Sequence, residues 1–210
     1  MQEISWKENL RVAWFGSFLT GASISLVVPF MPIFVEQLGI EGDQVAFYAG
    51  LAISVSAVSA ALVSPIWGIL ADKYGRKPMM IRAGLAMTIT MGGLAFVPNI
   101  YWLLFLRLLN GVFTGFVPNA TALIASQVPK DKSGAALGTL STGVVAGTLT
   151  GPFVGGFIAE IFGIRNVFLL VGSFLFLAAI LTIFFIKEDF QPVAKEKAIP
   201  TKEVFSSFKY

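Results

Sequence analysis

Gly147 to Gly156 reads GTLTGPFVGG and lies inside an uncharged run from Ser133 to Ala159. With Gly143 it places glycines at 143, 147, 151 and 155, so every fourth residue falls near one face of a helix. In water such a helix melts, because each glycine costs about 1 kcal/mol against alanine and an interior proline, here Pro152, about 3 kcal/mol. A bilayer reverses the balance: with no water to bond, an unpaired backbone group costs several kcal/mol. The stretch therefore predicts a membrane helix whose groove of bare backbone, interrupted by Pro152, admits another helix closely.

The rest of the chain agrees. Of its 210 residues 56% are hydrophobic and only 13% charged, against the roughly 25% charge usual for soluble domains. The mean hydropathy is +0.79. This is the composition of an all-α membrane protein, with the lipid bilayer as its first partner. A net charge of +3 hints at nucleic acid, but the basic residues lie between apolar stretches and form no single face, so none is expected as a partner. Cysteine and histidine are absent, which removes disulfides, thiolate and imidazole chemistry and the commonest transition-metal ligands. Neither a metal nor a cofactor is expected, and an enzyme ranks last among the readings.

Apolar stretches of about 20 residues predict six transmembrane helices, near 12–35, 45–71, 79–97, 102–125, 135–159 and 166–186. They make one domain, residues 1–186. The charged stretch 187–210, with its two prolines, reads as a linker or tail. The first apolar run, Val12 to Val35, is too long for a signal peptide and is expected to stay as an anchor. Pro98-Asn99 makes the turn between the third and fourth spans, with Tyr101 and Trp102 at the depth of an interfacial aromatic belt. If both termini are cytoplasmic, every Lys and Arg lies on the inner side except Arg165, outside, and Arg107, inside the fourth span. That asymmetry predicts a multi-pass protein of the cell membrane in this orientation.

Gly68 to Lys77 reads GILADKYGRK, and its charges oppose simple helix electrostatics. Asp72 sits at the partially negative C-terminal end of the second span. Arg76 and Lys77 precede Pro78, the expected first residue of the third, at a partially positive end. Each mismatch costs about 0.3 to 1 kcal/mol, so partners are required. Asp72 has Arg76 or Lys77 as local candidates, or the N-terminus of another helix. The simpler reading makes Arg76 and Lys77 topology signals and Gly75 the turn.

These residues carry a resemblance. GILADKYGRK resembles the GxLADxxGRK loop motif of the major facilitator superfamily, and GTLTGPFVGG resembles the GxxxGPxxGG helix-five motif of its drug:proton antiporters. The chain as a whole is similar to the N-terminal half of such a multidrug efflux transporter: one six-helix bundle of two three-helix repeats, followed by part of the central linker.

The resemblance implies a set of roles. Gly68, Asp72, Gly75, Arg76 and Lys77 would form a conformational latch, with Asp72's partner in a C-terminal six-helix half. Arg107, the only charge expected to be buried in a span, matches the helix-four arginine of the family's RxxxG pattern with Gly111. Its implied role is proton coupling or polarising the cavity, at an insertion cost of about 2.5 to 3.5 kcal/mol. Asn110 stands where the family commonly has glutamine, and Phe113 and Thr114 replace small residues. The alternative for Arg107 is snorkelling to the headgroups beyond Trp102. Gly147, Gly151, Pro152, Gly155 and Gly156 would shape the antiporter helix, with Pro152 as a bend and the packing partner in the missing half.

Substrates, implied to be small amphipathic drugs exchanged for protons, would meet helices one and four at Ser23, Ser25, Asn110, Phe113, Thr114 and Asn119. Pro29, Pro32 and Pro118 are expected to bend those helices. No acid lies near the middle of a span, for Glu36, Glu160, Asp72 and Asp131 all fall at ends, so the proton carboxylate is assigned to the other half. Two further readings remain at this level: a non-transporting membrane module and a homodimeric six-helix transporter.

Overall fold

The computed structural model describes residues 5–190. Within them the chain forms eight α-helices: α1 (Trp6–Val27), α2 (Met31–Gln37), α3 (Gln44–Tyr74), α4 (Arg76–Gly93), α5 (Ile100–Phe113), α6 (Phe116–Gln127), α7 (Ser133–Phe162) and α8 (Ile164–Phe185). These make six stretches long and apolar enough to cross a membrane. Span I is α1 with α2, span II is α3, span III is α4 with a 3-10 turn at Leu94–Phe96, span IV is α5 with α6, span V is α7 and span VI is α8.

Two spans read as continuous in the sequence are broken. Span I stops at Val27, because Pro29 has no N–H to continue the ladder, and the chain turns through Phe30 N–H to Val27 and Met31 N–H to Val28 before α2 begins with Pro32 in its first turn. Span IV breaks at Thr114, which is extended, and Gly115, whose φ of 132° no other residue adopts readily. Span III starts earlier than expected, at Arg76, with Pro78 inside its first turn, where a missing N–H costs nothing.

Two other prolines leave their helices unbroken. Pro65 deprives the Ala61 carbonyl of its donor, and Ser64 Oγ donates to it instead (3.2 Å). Pro152 likewise strips Thr148, whose carbonyl takes a hydrogen bond from Ser25 Oγ on α1 (2.7 Å). The expected interruption at Pro152 is thus absent: α7 runs helically through it for 30 residues, because a neighbouring hydroxyl replaces the lost amide.

The principal packings pair I with V, III with VI, I with VI, III with IV, and II with IV. Exchanging I with IV, II with V and III with VI turns the first pairing into the last and leaves III with VI unchanged, the arrangement expected of two three-helix repeats. One apolar cluster gathers Phe34, Met91, Leu94, Leu103 and Phe168. A second gathers Leu19, Met80, Phe116, Leu123 and Ala178 toward the other end. Spans II and V bury only 17% of their apolar windows, against 33–56% for the others, so their faces stand open.

Candidate functional site

The glycine ladder is built against α1. A Cβ on Gly143 would lie 2.7 Å from the Trp14 carbonyl oxygen and one on Gly151 2.8 Å from that of Ala22, while at Gly147 it would run into the Phe18 carbonyl. Gly155 abuts Leu26 and Phe30. Gly21 returns the contact, 2.6 Å from the Val144 oxygen, and Trp14 Nε1 donates to Thr142 Oγ1 (3.0 Å). The ladder's partner is therefore in this chain and not in an absent half. Gly156 differs, since a Cβ there would meet nothing within 4 Å beyond its own helix.

At the α3–α4 turn the charge mismatches resolve one by one. Arg76 pairs with Asp72 one helical turn back, placing a cation at the C-terminal end of α3. The pair is exposed and contributes at most about 1 kcal/mol. Lys77 Nζ reaches the Ile183 carbonyl (3.0 Å) in the last turn of α8, again a helix C-terminus. The positive N-terminus of α4 is filled by Glu188, whose carboxylate accepts from the backbone N–H of Arg76 (2.7 Å) and of Lys77 (2.8 Å). Gly75, at φ 100°, makes room, for a Cβ there would lie 2.8 Å from Glu188 Oε2. Asp72 thus has a local partner, and the helix-capping anion is Glu188.

Glu188 belongs to the stretch read as tail, yet its first residues are pinned. Lys187 N–H donates to Asn9 Oδ1 (2.9 Å), and its carbonyl accepts from Asn9 Nδ2 (2.6 Å) and Gln127 Nε2 (3.0 Å). Spans I, III, IV and VI are so tied together at this end. No local signal announces Glu188, since more than 100 residues separate it from the amides it caps. The remaining residues from 191 lie outside the described part.

Arg107 is buried at 6% exposure and does not snorkel. Its Nε donates to the Ala52 carbonyl on α3 (3.0 Å) and its Nη1 points to Met91 Sδ (3.7 Å). Ser59 Oγ donates to the Leu108 carbonyl (3.1 Å), and Gly111 lets α3 approach so closely that a Cβ would strike Ser56 and Ser59. Asn110 accepts a hydrogen bond from Thr90 Oγ1 on α4 (3.2 Å). These bonds lock the polar groups of II, III and IV together.

Arg107 is not the only cation inside a span. Arg82, on α4, stacks 3.4 Å over the Trp67 ring, and its Nη2 donates to the Thr114 carbonyl (3.2 Å). In a continuous helix Thr114 would look to residue 118, which is Pro118 and has no N–H. Arg82 therefore supplies the donor at the break in span IV. That Thr114 needs one is legible from Pro118; that Arg82 provides it is not.

Between α1, α3 and span IV runs a cleft in two joined parts. One, about 220 Å³, is lined by Ile24, Val28, Met87, Met91, Arg107 and Asn110. The other, about 370 Å³, is lined by Trp67, Gly68, Arg76, Gly115, Pro118 and Asn119, and both share Ala60, Gly111 and Thr114. Its walls are mostly apolar, and among the described residues its charges are two arginines and no acid lines either part. Span I contributes Ile24 and Val28, not the anticipated serines, for Ser23 is buried in the bundle and Ser25 is spent on α7. Phe113 packs against Trp67 at 6.2 Å between centroids.

Residues 13–209 match the Major Facilitator Superfamily. The chain belongs to this superfamily. Among its members it is 89% identical over all 210 residues to the multi-drug resistance efflux pump PmrA of Streptococcus pneumoniae and covers 53% of that protein. It is 56% identical to the PmrA homolog of Lactococcus lactis, with 97% of the chain and 50% of the relative covered. It is 51% identical to the multidrug resistance protein MdtG of Proteus mirabilis, with 98% and 51% covered. The chain thus spans about half the length of these relatives. The superfamily fold recurs in the human organic anion transporter TETRAN (TM-score 0.77, 18% identity, 88% of this chain and 48% of that one) and in the POT family transporter PepTSo (TM-score 0.79, 14% identity, 91% and 40%).

Proposed function

We propose that this bundle forms one wall of a multidrug efflux pathway that exchanges small amphipathic drugs for protons. The second wall comes from a C-terminal six-helix half. The carrying observation is the cleft: apolar walls, a buried arginine and a few fixed polar groups suit bulky amphipathic molecules, and the relatives are named as multidrug efflux pumps. Among the described residues the cleft has arginines and no acid, which favours zwitterions, whose anionic group Arg107 attracts; recognition of a cation, and the proton itself, needs a carboxylate from the other wall.

In this reading Arg107, Asn110 and Gly111 polarise the cavity, and Gly68, Asp72, Gly75, Arg76 and Lys77 form the latch against the second bundle. Gly147, Gly151, Pro152 and Gly155 of the antiporter motif keep span V pressed on span I, so that the two tilt together, while Gly156 leaves the outer side of span V smooth. Both termini lie in the cytoplasm, where the basic residues cluster. One bundle leaves the pathway open along spans II and V and transports nothing alone.

The test is efflux of a fluorescent amphipathic dye from a drug-sensitive strain that expresses this chain with, and without, a separately encoded C-terminal half of a relative. Efflux only with both halves is expected. Efflux by this chain alone would overturn the proposal.

A further inference from the structure

On the side of the bundle away from the cleft, α4 and α8 cross at a pair of glycines. A Cβ on Gly172 would lie 2.9 Å from Gly92 Cα, so the two backbones touch and the surface above them is hollow. The hollow is a groove of about 450 Å³, floored by Gly92, Gly93 and Gly172 and walled by Ile89, Phe96 and Phe176. Its two hydroxyls are satisfied on their own helices: Thr88 Oγ1 donates to Gly84 O (2.8 Å) and Ser173 Oγ to Leu169 O (2.9 Å). What remains is a shallow, open, largely apolar groove. The cleft takes Met87 and Met91 from α4, whereas the groove takes Thr88, Ile89 and Gly92 from it, so the two do not share a face.

One end of the groove carries a charge. Arg165, Leu169, Gly172 and Phe176 recur at helical spacing on one face of α8, which places Arg165 one turn beyond the groove's edge. Its Nη1 and Nη2 donate to the carbonyls of Ala95 (2.8 Å) and Val97 (3.2 Å), the residues on either side of Phe96, itself a wall of the groove. Two of its five N–H donors are so used. The side chain is exposed, and among the described residues no carboxylate lies within 4 Å of it.

We propose that this groove binds a phospholipid, with one acyl chain on the glycine floor and the phosphodiester held by the free donors of Arg165. Phosphatidylglycerol is the occupant chosen, because Arg165 offers donors and a positive charge to a phosphate and no acid beside it for an ammonium headgroup. The site is independent of drug binding and of any second bundle.

The test uses the whole chain in nanodiscs containing phosphatidylglycerol with a photoactivatable acyl chain, with an uncharged diacyl glycolipid bearing the same chain as control, and maps the crosslinked peptides. Crosslinks should concentrate around Phe96, Leu169 and Phe176, with phosphatidylglycerol exceeding the glycolipid by about fivefold. Arg165→Gln should remove that preference. Ser173→Phe, which fills the groove while leaving Arg165 and its backbone bonds intact, should abolish crosslinking of both lipids there. Equal labelling by the two lipids, a preference that survives Arg165→Gln, or labelling spread evenly over all lipid-facing helices would overturn the proposal.

Discussion

Glu188 and Gly75 show how two residues more than 100 positions apart make one joint. The carboxylate caps two backbone amides of α4, and only a residue without a Cβ, at φ 100°, fits beneath it. Glu188→Ala removes a charge-assisted cap at a partly exposed helix end and should cost about 1 kcal/mol. Glu188→Gln should recover part of that loss, because an amide oxygen still accepts one N–H. Gly75→Ala should cost more than Glu188→Ala, as it meets both the backbone strain and the carboxylate. Thermal unfolding in detergent ranks the three variants, and faster amide exchange at Arg76 and Lys77 in Glu188→Ala would place the effect at the cap. No difference between Glu188→Ala and the parent would refute this account. In the sequence, the oddly placed Asp72, Arg76 and Lys77 demanded partners, because helix dipoles are local and known. Which partner answers is a matter of tertiary proximity, so Glu188 was not legible.

At the level of helices, glycines within one motif separate into two kinds. Gly147 lies against the Phe18 carbonyl and Gly156 faces open space, although both belong to GTLTGPFVGG. Gly147→Val should push α1 and α7 apart at a cost of about 1 to 3 kcal/mol. Gly156→Ala should leave stability within about 0.5 kcal/mol. Unfolding in detergent monitored by tryptophan fluorescence reads both, with Trp14 on the α1–α7 seam as the reporter; equal effects at the two sites would refute the assignment. The prolines divide similarly. Pro152 and Pro65 leave helices intact where a serine supplies the lost donor, whereas Pro29 and Pro118 accompany breaks. Periodicity places the glycines on a face, but the missing amide of a proline says only that a carbonyl needs help, not where help is found.

For the whole molecule, the open faces of spans II and V and the cleft between α1, α3 and span IV define the side that, in the proposed reading, a second bundle covers. Gly68 lines that cleft, and a Cβ placed there would meet nothing within 4 Å beyond its own helix. Gly68→Trp should therefore leave the chain's own stability within about 0.5 kcal/mol. The same change should abolish dye efflux when both halves are expressed. Unchanged efflux would remove Gly68 from the contact between halves, and loss of stability would show that it packs within the bundle.

Composition and hydropathy by themselves determined a membrane protein with six spans, since an apolar run of about 20 residues has one stable home. The glycine ladder and the charged turn determined where helices approach closely and where charges need partners, because spacing and dipole are properties of a single helix. Only the tertiary structure decided that the ladder closes on α1, that Glu188 caps α4, that Arg82 serves the break in span IV and that Arg107 is buried against Ala52. Each of these joins groups distant in the chain, and in a bilayer the burial of apolar surface does not select among such pairings: close packing and the saving of otherwise unpaired polar groups do, and those depend on which backbones meet.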